Sequence, residues 1–118
     1  RRLCVAPDGV GCALLDDGGA VALVDTGTGA VVGPRPIASI RTSRSGGLAF
    51  AADGALWVGD EAGVVRCLAP GRLAVVATFH VGAPVTALAV DGEQLLIATW
   101  DAAARTGRLA RHGVDGTV

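Results

Sequence analysis

The chain of 118 residues contains no Met, no Lys, no Asn and no Tyr, and only 3% of it is aromatic. Lacking a Met at its start, it reads as a piece cut from something longer. With no Lys, all ten basic residues are Arg, and they stand against eleven acidic residues for a net charge of −1. That balance excludes general electrostatic capture of nucleic acid or of an anionic membrane. Cysteine is scarce and odd in number: Cys4, Cys12 and Cys67 argue against a disulfide framework and fit small buried hydrophobes in a reducing, cytoplasm-like compartment. No stretch sustains the i, i+3, i+4, i+7 pattern over three turns, and 18 Gly work against helix interiors. Residues 73–90 carry no Asp, Glu or Arg and are long enough to cross a bilayer, but Thr78, His80, Gly82, Pro84 and Thr86 split them into two Val-rich runs about a turn. No apolar h-region precedes Pro7, so no signal peptide is visible. No catalytic triad, P-loop, Rossmann fingerprint, HExxH or CxxC spacing occurs.

What is present is small, apolar and repetitive. Hydrophobic residues make up 51% and charged residues 18%, far from the signature of disorder, and the length suits one core. Gly19, Gly63 and Gly107 stand 44 residues apart, and each opens a short run, at 20–24, 64–68 and 108–112. Asp8-Gly9, Asp53-Gly54 and Asp91-Gly92 each follow an alternating apolar run (3–6, 48–52, 85–90) and precede a nearly all-apolar one (10–15, 55–59, 95–100). Asp-Gly between two such runs is a strong hairpin signal. In the first hairpin the pairing sum is 17, which sets Val5 opposite Cys12 and leaves Cys4 and Cys12 on opposite faces, unable to bond. A further turn follows at 25–29, 69–72 and 113–116, and then a fourth run at 30–32, 73–79 and the truncated 117–118.

Each unit is thus four short antiparallel strands, A to D, within about 40 to 45 residues, the period of a β-propeller blade. The predicted fold is all-β, a propeller fragment of about three four-stranded antiparallel blades, with units at 1–40, 41–83 and 84–118, the last incomplete. Strands A and B are apolar on both faces, whereas C and D admit Arg35, Arg66, Arg108, Arg111 and His112. Radial packing predicts that gradient, because inner strands lie between neighbouring blades and outer strands reach water. A β-sandwich is the alternative, but it does not require a repeat held to the residue. Three units cannot close a ring of the usual four to eight blades, so the terminal blades expose apolar faces. The chain is therefore expected to be a slice of a longer propeller, or to associate with other copies that complete one.

At these residues the chain resembles the WD-repeat and related Trp-poor, YVTN-like propellers. Leu3-Cys4-Val5-Ala6-Pro7-Asp8-Gly9 looks like strand A and the turn of a WD repeat, and Val24-Asp25 stands where Trp-Asp would be. His80 sits near the place of the family's Gly-His pair but follows Phe79, and the third unit inserts Ala102-Ala103-Ala104 before Gly107. Unit two, from Ala52 to Asp60, looks more like blades of gluconolactonase-like, streptogramin-lyase-like or sensor-kinase periplasmic propellers. The resemblance implies a non-enzymatic scaffold for protein or small-ligand binding; its enzyme or sensor alternative would place a cation at the channel mouth.

The candidate site comes from the repeat. The B to C turns carry Asp16-Asp17, Asp60-Glu61 and Asp101, which a propeller gathers at one end of its ring. Converging carboxylates can bind a hard cation such as Ca²⁺, but Asp is also a common turn residue whose side chain caps the backbone. A gluconolactonase-like metal site also wants Asn, which the chain lacks, so no cofactor and no metal ligand is assigned. Arg35, Arg41 and Arg44 lie in the linker to unit two, suited to carboxylate or phosphate partners or simply solvated. Trp57 and Trp100 stand near corresponding ends of strand B, where they either line a ligand mouth or fill space between Ala-rich blades. His80 and His112 have no Cys or acidic partner at ligand spacing.

Overall fold

In the computed structural model the chain is all-β, and the structure describes residues 2–7, 9, 11–15, 19–37 and 47–113. Among the described residues, eleven strands form three antiparallel sheets, each ordered as its strands occur along the chain. The first sheet is β1 (Arg2–Val5), β2 (Gly11–Leu15), β3 (Ala20–Asp25) and β4 (Val31–Pro36). The second is β5 (Gly47–Phe50), β6 (Leu56–Gly59), β7 (Val64–Leu68) and β8 (Val75–His80). The third is β9 (Val85–Asp91), β10 (Gln94–Asp101) and β11 (Thr106–Gly113). The expected fourth strand of that sheet, at 117–118, lies outside the described residues. Residues 73–90 are strand, turn and strand, as their breakers predict.

The first hairpin has the expected register, with Val5 opposite Cys12 and Cys4 opposite Ala13, and all three cysteines are free thiols. The sheets meet through their inner strands, β1 against β5 and β5 and β6 against β9, so the A strands converge as spokes do on a hub. β6 is buried along its whole length because it serves two cores. Its Leu56 and Val58 join Ala13, Leu15 and Val21 of the first sheet, while Trp57 on the opposite face joins Val85, Leu95 and Ile97 of the third. Exposure rises outward: β4 is exposed throughout and β8 and β11 nearly so.

Close approach of the sheets depends on two glycines facing each other across β5 and β6, Gly47 and Gly59. A Cβ on Gly59 would stand 2.6 Å from Val85 Cγ1, and one on Gly47 would stand 2.6 Å from the Leu88 backbone nitrogen. Both would collide with β9, so the third sheet can seat only against bare backbone.

Two local features differ from the sequence reading. The segment Gly33-Pro34-Arg35-Pro36, read as linker, continues β4 to Pro36. As the outermost strand, β4 tolerates residues without an N–H, and a shift in the β3–β4 register accommodates them. Gly107, read as the counterpart of Gly19 and Gly63, lies inside β11 opposite Trp100. The inserted alanines lengthen the hairpin, and Arg105, at φ 53°, takes the left-handed place that Gly63 holds at φ 79° in the second sheet.

Replacing Gly59 with Ala is expected to cost about 1–3 kcal/mol through overpacking against Val85. Urea denaturation checks this, with the exposed Ala52→Ser expected to leave the midpoint unchanged.

Candidate functional site

The hairpin turns and the connections between sheets distribute to two ends. One end carries the turns from β2 to β3, β6 to β7 and β10 to β11, the other those from β5 to β6, β9 to β10 and β7 to β8. Of the sequence-derived carboxylates, Asp60, Glu61 and Asp101 belong to the first end, and Asp16 lies outside the described residues. Asp17, Arg41 and Arg44 lie outside the described residues.

Asp60, at the β6–β7 turn, is fully buried. Its Oδ1 accepts the backbone N–H groups of Ala62 at 3.0 Å and Val64 at 3.1 Å, and its Oδ2 accepts Arg66 Nη1 at 2.7 Å. Arg66 reaches it from β7 with its side chain only 15% exposed, so the charge pair is compensated inside the protein. The backbone carbonyl of Asp60 accepts N–H groups from Gly63 at 3.1 Å and from Val85, the first residue of the third sheet, at 3.0 Å. One residue therefore shapes its own turn and ties two sheets together. Glu61, beside it, is exposed.

Asp101 repeats the local part of this arrangement in the open. Its Oδ1 accepts the N–H groups of Ala103 at 3.0 Å and Ala104 at 3.1 Å, capping the β10–β11 turn. Asp25 and Asp53 cap turns at the other end in the same way. Among the described residues, no three His, Cys, Asp or Glu side chains come together as a metal would need.

The two tryptophans part company. Trp57 is 2% exposed in the core between the second and third sheets, with its ring edge-on to Phe79 at 6.2 Å. Phe79 in turn meets His112 of β11 at 5.4 Å, which closes the outer side of the same interface. Trp100 is 44% exposed on β10. It alternates with Leu95 and Ile97, which face the second sheet, so it belongs to the open face of the third sheet together with Leu109, 71% exposed. The first sheet has an open face of its own, which exposes Val5 and Leu14. Arg35 lies on β4, with Nη1 3.5 Å from the Leu73 carbonyl oxygen.

The clefts between sheets escape the sequence reading. One of about 470 Å³ lies between the first and second sheets and is lined by Leu23, Val32 and Phe50 among others. Another, of about 340 Å³, lies between the second and third and includes Asp53, Trp57, Cys67 and Glu93. In sequence Asp53 reads as a turn residue alone; the signal that places it beside the cleft is the repeat, since A to B turns of adjacent units lie side by side. Burial, and secondarily the charge of Asp53, push the Cys67 thiol up from its ordinary value.

No protein-family model matches the chain, and no curated protein does. Its fold is nevertheless that of solved propellers. It is similar to the β-propeller domain of Myceliophteria thermophila Cps50 (Swd1), with TM-score 0.70 and 14% identity over 93% of this chain and 38% of that one. It is similar to the WD40 repeats of RRP9, with TM-score 0.70 and 18% identity over 92% of this chain and 37% of that one. It is also similar to Kuenenia stuttgartiensis hydrazine synthase, with TM-score 0.70 and 16% identity over 98% of this chain and 36% of that one. The chain spans little more than a third of each, and its three sheets are a wedge of a β-propeller.

Asp60→Ala is expected to destabilise by about 3 kcal/mol, because it leaves Arg66 and two turn N–H groups without their acceptor. Asp101→Ala should cost much less, and urea denaturation of both variants checks the order. In alkylation followed by mass spectrometry at pH 8, the half-buried Cys4 and Cys12 should react before the buried Cys67.

Proposed function

We propose that the chain is a non-enzymatic interaction scaffold, a wedge of a larger propeller whose remaining blades come from the same polypeptide or from other copies. Its units are 1–40, 41–83 and 84–118, and its partner is a protein or a small ligand. The contact surface on this reading is the end that carries the β6–β7 and β10–β11 turns: Glu61 and Asp101, with Trp100 at the edge where the next sheet packs, together with Asp17, Arg41 and Arg44. Asp60 and Trp57 hold that surface in place from within.

The observation that carries this reading is how the Asp side chains are used. The buried Asp60 is committed to its turn and to Arg66, and Asp101 to its own turn, so both serve as framework. Rigid sheets presenting exposed turns in fixed register are what a recognition surface needs. The fold by itself does not choose between scaffold and enzyme, since a propeller hosts both. The open faces with Trp100 and Leu109 at one side and Val5 and Leu14 at the other favour further sheets packed against them.

Two measurements test the proposal. Calcium at millimolar concentration should leave the thermal midpoint unchanged, and a rise of several degrees would instead favour the cation-bearing enzyme or sensor. The double variant Glu61→Lys with Asp101→Asn keeps both turn caps and should abolish binding of a partner recovered with the unaltered protein. Undiminished binding would move the contact surface elsewhere.

A further inference from the structure

We propose that the cleft between the second and third sheets, at the end opposite the β6–β7 turn, receives a partner polypeptide segment that inserts one apolar residue and places Arg or Lys beside it. The cleft holds about 340 Å³, at the small end of ligand sites and suited to a single side chain with its adjoining backbone. Its floor is buried and apolar, formed by Ala51, Ala55, Trp57 and Cys67. Its rim is exposed and acidic, with Asp53 from the second sheet and Glu93 from the third.

Three observations point to this occupant. First, Trp57 lines the cleft, and its indole N–H is buried and has no acceptor among the described residues. A buried indole N–H normally finds a partner, and a segment that inserts and parts the side chains covering Nε1 supplies a backbone carbonyl. Second, two carboxylates from different sheets flank the opening, and among the described residues no Arg or His lines it. Asp53 Oδ1 accepts the Ala55 N–H at 2.9 Å, so the turn fixes where that carboxylate stands. Its charge also reaches the floor, where it adds to burial in keeping the Cys67 thiol protonated. Third, alanines occupy Ala51, Ala52 and Ala55, where longer side chains would fill the space. The apolar floor supplies burial, and the acidic rim selects basic flanking residues and speeds their arrival.

The test uses Trp100→Phe, which leaves Trp57 as the only one of the two tryptophans and its indole N–H as a single NMR reporter. The probes are acetyl-Arg-Leu-Arg-amide and acetyl-Glu-Leu-Glu-amide. The basic peptide should shift the Trp57 indole resonance saturably, and the acidic peptide should not. Asp53→Asn, which keeps the turn cap, combined with Glu93→Gln, on an exposed turn, should weaken the basic peptide roughly tenfold. The Glu61→Lys, Asp101→Asn variant at the opposite end should bind it unchanged, so failure here is separable from failure of the scaffold reading. No shift with the basic peptide, an equal shift with the acidic one, or undiminished binding after both rim substitutions would overturn the proposal.

Discussion

The Asp60 carbonyl accepts the Val85 N–H at 3.0 Å, and the turn presenting it is shaped by the Asp60 carboxylate. The rest of the wedge is arranged so that this contact can form. Gly47 and Gly59 leave backbone bare where β9 arrives, and Arg66 neutralises the charge the turn buries. With the third sheet seated, Trp57 and Val65 become interior, and Phe79 closes on His112 at the outer side. An apolar core alone would have no preferred seating; the hydrogen bond and the two glycines give the sheet one position.

Composition follows from the same geometry. Sheets converging on an axis leave least room at their inner strands, and there the chain has Gly47, Ala49, Ala51, Ala55 and Gly59. The larger Phe79 enters on the outermost strand of the second sheet, where the sheets diverge toward the rim, and meets Trp57 edge-on. That divergence also opens the clefts at the far end, so the spokes that make a rigid framework also make recesses between them.

Much of the fold is legible in the sequence because turn chemistry and alternation point the same way. The register of the first hairpin follows from Asp8-Gly9 and the runs beside it, and the propeller architecture from the spacing of the units. The sequence misleads where a local rule is relaxed by position. Prolines read as linker belong to β4 because an outermost strand needs no donor on its free side. Gly107 keeps the 44-residue spacing yet sits in a strand, because three added alanines shifted the turn and Arg105 took the left-handed conformation. The candidate site is less legible. Asp60 and Asp101 look alike in sequence, and only the packing of the third sheet buries one and leaves the other in water. The juxtaposition of Asp53 with Glu93 depends on how two sheets lean together, which no spacing within a unit encodes.

The open faces of the first and third sheets bear most directly on the central claim that these three sheets belong to a larger ring. Trp100 and Leu109 on one side and Val5 and Leu14 on the other are apolar surface of the kind that β6 buries on both of its faces. Sedimentation of the isolated 118-residue chain over a range of concentrations is the decisive measurement. The account predicts association that grows with concentration, because lone apolar end faces find each other. A folded, concentration-independent monomer would contradict it.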